Sequence, residues 1–146
     1  MKTPEEKSYI ALFRAVMLTH HGLQHLARSV ASAHDLQSAE LNAIDILGKF
    51  GSTNMGELAR RSFISPASTT RTVGALEARK LVRRKRHRDS NRIVMVALTP
   101  KGRALYRKCF PAIFGRAVEY FDAALKPAER MQLLTLLEKL AGPLDF

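Results

Sequence analysis

Between Asn54 and Pro66 the chain signals the start of a helix twice, and this doubling limits the folds open to it more than any other feature. Asn54 is a preferred N-cap, with Glu57 three residues on as in a capping box, and Leu58 and Ala59 supply a short apolar side. The segment RRSFIS then turns. Ser65 is a second N-cap, and Pro66 takes the first helical position, where its missing N–H is no loss. The helix SPASTTRTVGALEARK carries its apolar residues late, at Val73 and Leu76, while Ser68 to Thr72 are almost wholly polar. A short helix, a tight turn and a second helix with a hydrogen-bonding first half is the layout of a helix-turn-helix.

Two strand-like runs follow, LVRRKRH and RIVMVALT, joined by the polar turn RDSN. From Arg83 to Arg92 this hairpin carries six Lys or Arg against one acid, Asp89. Like charges so closely spaced need solvent or an anionic partner. A wing beside a helix-turn-helix provides the partner, because its tip can reach DNA phosphates while Ile93 to Leu98 anchor it in the core.

The charge distribution agrees. The formal net charge is +11, and Asn54 to Arg103 holds thirteen Lys or Arg against three acids, Glu57, Glu77 and Asp89. The rest of the chain has eleven basic residues against ten acidic ones. A basic excess confined to one third of a folded chain points to a polyanion, with nucleic acid the first candidate.

Helices bracket this unit. Tyr9 to Val30 repeats its apolar residues at three- and four-residue steps, and Gly22 need not end that helix. After a break near His34-Asp35, SAELNAIDILGKF begins with Ser38 as its expected N-cap and can stop at Gly48 or Gly51. Thr99-Pro100 caps a long amphipathic helix with Leu105, Cys109, Ile113, Ala117 and Phe121 on its apolar side, and Pro111 is expected to bend or break it. Lys126-Pro127 starts a last helix, whose apolar face from Met131 to Leu140 is too wide for packing on one side only. The expected class is mainly α with a small β-hairpin wing: residues 36–99 as a winged helix-turn-helix lobe, residues 1–35 and 100–146 as an all-helical dimerisation region. A closed two-fold homodimer would cover the surplus apolar faces.

This order of elements resembles the multiple antibiotic resistance regulator (MarR) family of winged helix-turn-helix repressors. GELARRSFISPASTTRTVGALEARKLVRR follows the family's LA…S-T-x-T-R-x-V-x-x-L-E-x-x-G-L-V-x-R pattern, and VALTPKG matches its strand-to-helix junction. Lys80 stands where the family has glycine, and the wing acid expected two residues before Arg92 is Ser90, with Asp89 one place earlier. The resemblance puts the family's recognition positions on Ser68, Thr70 and Arg71 and its wing arginine on Arg92. With their neighbours, the expected DNA-facing set is Ser65, Ser68, Thr69, Thr70, Arg71, Arg84, Lys85, Arg86, Arg88 and Arg92. Arg83 adds to the charge of the run, and Arg92 is the candidate for a narrow minor groove.

The resemblance also implies a pocket for a small aromatic or phenolic effector between the dimer base and the DNA-binding lobe, with Phe13, Met17, His20, His21 and Arg28 as candidate lining. His21 and His25 are spaced as a helical pair, but no acid, Cys or HExxH pattern joins them, so no metal is expected. Cys109, the single cysteine, reads as a buried packing residue and excludes an intrachain disulfide. The N-terminal MKTPEEKSYI lacks the apolar stretch of a secretory signal, and no run reaches the length of a membrane span, so a cytoplasmic location is expected. There is no Gly-rich phosphate loop, no GxSxG and no His/carboxylate pairing to suggest an enzyme, and no cofactor is implied. The expected function is that of a homodimeric regulator, in all expectation a repressor, on a pseudo-palindromic operator in double-stranded DNA, relieved by the effector. The rival is a non-specific architectural DNA binder.

Overall fold

A computed structural model of the chain describes residues 3–87 and 90–142, the side chain of Asn91 apart. The element order is α1 (Pro4–Ser32), α2 (Ser38–Phe50), β1 (Thr53–Asn54), α3 (Met55–Ser62), α4 (Pro66–Ala78), β2 (Val82–His87), β3 (Ser90–Leu98), α5 (Pro100–Asp122) and α6 (Pro127–Ala141). The three strands form one antiparallel sheet in the order β1-β3-β2. The fold is thus mainly helical with a small sheet and a winged helix-turn-helix at its centre.

Most helix starts follow from local hydrogen bonds. The side chains of Asn54, Ser65 and Thr99 accept the backbone N–H groups of Glu57, Ser68 and Gly102, and each cap residue has extended φ/ψ. At α2 the expected cap is corrected by one residue. Gln37 is the N-cap and Ser38 is already helical, because the Glu40 carboxylate accepts the Gln37 N–H at 2.8 Å. Gly48 does not end α2. The helix runs on to Phe50 and stops at Gly51, whose φ of 75° suits glycine.

Pro111 does not break α5, which is continuous from Pro100 to Asp122. Pro111 is exposed, so solvent can satisfy the carbonyl that its missing N–H leaves open. The glycine of the strand-to-helix junction has a steric cause. A Cβ on Gly102 would collide with the Leu81 carbonyl, the same oxygen that accepts the Thr99 N–H at 3.0 Å.

One buried cluster joins the elements. Val30 and Ala31 of α1, Leu41, Ile44 and Leu47 of α2, Leu58 of α3, Val73 and Leu76 of α4, Val82, Val96 and Leu98 of the wing, and Cys109 of α5 all belong to it. Burial pushes the Cys109 thiol pKa up, in keeping with a packing residue. α6 buries no residue, and Tyr9, Phe13, Leu18, Phe114, Met131 and Leu140 are all exposed. Among the described residues no helix is long and apolar enough to cross a membrane.

Candidate nucleic-acid interface

The first turn of α3 gathers two basic side chains onto one acid. Arg60 Nη2 and Nε lie 2.6 and 2.8 Å from the Glu57 carboxylate, and Arg61 Nε lies 2.7 Å from it. The hydrogen bond from Arg60 is the largest influence on Glu57, and with the Arg61 hydrogen bond and both positive charges it outweighs desolvation and lowers the pKa to about 2. Arg61 also stacks over the Phe50 ring at 3.8 Å. The helix then ends at Phe63, which is left-handed at φ 54° and 95% exposed.

Ser65 starts α4 by accepting the Ser68 N–H at 3.1 Å, and its hydroxyl donates to Ser68 Oγ at 3.0 Å. The hydroxyls of Thr69 and Thr70 fold back on the preceding turn, donating to the carbonyls of Ser65 and Pro66. Thr69 is only 2% exposed, so its side chain belongs to the interior and not to the DNA-facing set in which it was expected. Thr70 and Arg71 are exposed, Ser65 is exposed and Ser68 half-buried. With Ala67, Ala75 and Ala78 they make a solvent face on which Arg71 is the longest side chain. Small residues let a helix backbone come close to base edges. The alanines escaped the sequence reading because neither charge nor period marks them.

The wing splits the basic run between two faces. Cross-strand partners share a face, and Val82 pairs with Leu98, Arg84 with Val96 and Arg86 with Val94. Arg84 and Arg86 therefore continue the core-facing side of the sheet outward. Arg83 and Lys85, opposite Ala97 and Met95, lie on the other side. Arg84 leans on α4, its Nε 3.2 Å from Glu77 Oε2. Lys85 and Arg86 are exposed, and so is Arg92, whose backbone N–H donates to Ser90 Oγ at 3.4 Å. Arg88 and Asp89 lie outside the described residues, and with them the question of whether Asp89 orients Arg92.

The expected effector lining is not gathered. Phe13, Met17, His20 and His21 lie exposed along α1, whereas Arg28 borders a hollow of about 450 Å³ at the α1–α2 turn. Ala31, Ser32, Asp35, Leu36, Gln37 and Ser38 complete that hollow. Under α5, Tyr106, Cys109 and Asp45 border a void of about 10 Å³, room for one water at most. Asp45 Oδ1 is buried there without a hydrogen-bond partner, and burial raises the Asp45 pKa despite Lys49 at 3.4 Å.

A capped pair of helices, an exposed and sparsely clad α4 face and a basic antiparallel wing beside it define a winged helix-turn-helix protein. Residues 34–93 match the MarR family model. The uncharacterized HTH-type transcriptional regulator YhbI of Bacillus subtilis is 38% identical over 96 residues, 64% of this chain and 58% of that protein. The HTH-type transcriptional regulator TtmR of Methylorubrum extorquens is 31% identical over 103 residues, 69% of this chain and 53% of that protein. The chain thus spans little more than half the length of these curated relatives. A MarR-family regulator from Silicibacter pomeroyi superimposes with a TM-score of 0.72 at 27% identity, over 88% of this chain and 84% of that one. A mutant MarR of E. coli complexed with operator DNA gives 0.81 at 21% identity, over 91% and 95% of the two chains. BpsR of Bordetella bronchiseptica, whose DNA binding is regulated by 6-hydroxynicotinic acid, gives 0.78 at 23% identity, over 90% and 98%. The likeness is thus to the MarR family, whose model covers residues 34–93 of this chain.

Proposed function

We propose that this protein is a homodimeric transcriptional regulator that represses from a pseudo-palindromic operator and is released by a small aromatic acid or phenol. The observation that carries the reading is the pairing of an exposed, sparsely clad α4 face, headed by Thr70 and Arg71, with the exposed basic wing residues Lys85, Arg86 and Arg92. Arg71 can fork onto guanine in the major groove, Lys85 and Arg86 can meet phosphates, and Arg92 can enter the minor groove. Ser65, Ser68 and Thr70 add hydroxyls at the helix start.

The dimer follows from uncovered apolar surface. Tyr9, Phe13 and Leu18 on α1 and Met131, Leu136 and Leu140 on α6 are each at least half exposed. In the proposed arrangement residues 1–35 and 100–146 form the dimer base, and residues 36–99 the DNA-reading lobe. Two recognition helices fit successive major grooves when about 34 Å apart, and the dimer base sets that distance. A ligand that binds the spread and DNA-ready forms unequally can then shift affinity roughly 5- to 150-fold without touching DNA. The regulated relatives of this fold lend support: the MarR structure bound to operator DNA, and BpsR with its hydroxynicotinic acid.

A footprint combined with an effector screen over aromatic acids and phenols tests the reading. A symmetric protected site and a compound that weakens it are expected. An asymmetric site removes the dimeric reader. A symmetric site that no compound weakens leaves the regulator without its switch. Equal affinity for selected and random duplexes at every salt concentration would instead favour an architectural binder.

A further inference from the structure

Arg79, the residue on which α4 ends, joins four elements, through its guanidinium on one side and its backbone carbonyl on the other. Its Nη1 donates to the Asp35 carbonyl at 2.7 Å and its Nη2 to the His34 carbonyl at 3.3 Å, across more than forty residues of sequence. Nη1 also lies 3.8 Å from Oε2 of Glu40, a buried acid at 7% exposure. The same Glu40 oxygen accepts the Gln37 N–H and so starts α2. From the other side, Lys101 Nζ in the first turn of α5 donates to the Arg79 carbonyl at 3.1 Å. The end of α1, the start of α2, the end of α4 and the start of α5 meet here.

We propose that Arg79 is a positioning residue: it sets the recognition helix at a fixed angle to the α1–α2 turn and governs DNA recognition without contacting DNA. This rests on the reading that α4 enters the major groove. Val73 and Leu76 hold α4 to the core by apolar packing, which is non-directional and tolerates rotation and sliding. A guanidinium forked over two carbonyls fixes direction as well as distance, and an ammonium cannot reproduce the fork. The grip also carries a signal. Asp35 and Gln37 line the hollow of about 450 Å³ on one side, while on the other the Asp35 carbonyl accepts from Arg79 and the Gln37 N–H donates to Glu40. Asp35 is itself left-handed, at φ 54°, so the turn that Arg79 grips is conformationally restricted. A shift of this turn, by whatever occupies the hollow, is passed to α4 through one side chain.

The test compares Arg79→Lys and Arg79→Ala with the parent protein on a selected operator and on random duplex, over a salt series. Operator affinity is expected to fall about tenfold in both variants, with random-duplex affinity and the salt slope of Arg79→Lys unchanged. Full retention of operator affinity by Arg79→Lys, with a slope reduced by about one unit in Arg79→Ala, would make Arg79 a phosphate ligand and overturn the proposal. Equal losses on both duplexes, in step with a lower Tm, would make it merely structural and overturn it as well. Hydrogen exchange on the free protein supplies a readout independent of DNA. Arg79→Ala should speed exchange together in residues 37–41 and 76–81 and leave α6 unaffected, and unchanged protection in either segment refutes the grip. If the parent protein fails to discriminate the two duplexes, the DNA-reading function falls, while the exchange data still decide whether Arg79 couples α4 to the α1–α2 turn.

Discussion

Glu77 and Arg84 are joined twice. Arg84 Nε lies 3.2 Å from Glu77 Oε2, and the Arg84 backbone N–H donates to Glu77 Oε1 at 3.2 Å. The wing is thus tied to the last turn of α4. Because both side chains are a third or more exposed, the ion pair stabilises the fold by at most about 1 kcal/mol. Its larger consequence is that one wing charge is already compensated. Arg84→Ala should flatten the salt dependence of DNA binding by clearly less than one unit, whereas Lys85→Ala or Arg86→Ala should each remove about one. Binding isotherms over a salt series measure all three, and equal slopes for Arg84→Ala and Arg86→Ala would show that the pair opens on DNA.

Arg92 is exposed on β3 at the wing's outer end. Replacing it with Ala should weaken operator binding by roughly 1–3 kcal/mol and reduce discrimination at one edge of the site. Competition binding against operators altered at their flanks checks this, and unchanged affinity would remove Arg92 from the interface.

Phe63 and Lys80 are both left-handed, at φ 54° and 60°, and Phe63 has almost no packing to lose. Phe63→Gly and Lys80→Gly should each raise stability by about 0.5–1 kcal/mol, since the relief of steric strain exceeds the added chain entropy. Gly102→Ala should do the reverse, costing about 3 kcal/mol or more, because its methyl meets backbone and not a movable side chain. Urea denaturation of the three variants measures both signs.

Glu57 sets an acid dependence. Its folded pKa of about 2 lies below the ordinary value of 4.5, so the arginine cluster's stabilisation is fully present above about 4.5 and is lost as pH falls through 2. The Tm gap between the parent and Glu57→Gln should therefore be constant near neutrality and close in that acid window. Asp45 runs the other way. Burial raises its pKa above the ordinary 3.8, so its penalty is absent at lower pH and grows as pH rises through the folded value. Asp45→Asn should be the more stable form at neutral pH and lose that advantage in acid.

Leu140 and Tyr9 are 73% and 65% exposed on the two outer helices. Leu140→Glu, alone or with Tyr9→Glu, should shift the protein from dimer to monomer at micromolar concentration while the winged lobe keeps its fold. Sedimentation together with circular dichroism distinguishes this from unfolding, and a parent protein that sediments as a monomer would refute the dimer.

Legibility in the sequence followed the range of the interactions. The starts at Asn54, Ser65 and Thr99 were readable because a cap reaches only three residues along the chain. Apolar periodicity likewise marked α1 and α5, and the basic excess marked the third of the chain that carries the helix-turn-helix and wing. The N-cap of α2 missed by one residue, since Glu40 can serve Gln37 as readily as Ser38 can cap a helix. The strand β1 escaped altogether, because two residues carry no pattern and Thr53-Asn54 is a strand only through its pairing with Met95 and Val96.

What the sequence by itself determined was the six helices and the two wing strands, their order and the basic sign of the surface they carry, all consequences of nearest neighbours and composition. Tertiary structure decided which of those residues remain available. It turned Thr69 inward, tied Arg84 to Glu77, left Pro111 on a solvent face where a helix can continue, and brought Arg79 to carbonyls at His34 and Asp35. A capping bond is encoded within one turn of chain, but a contact across forty residues exists only after the core has packed and fixed the distance between the two segments.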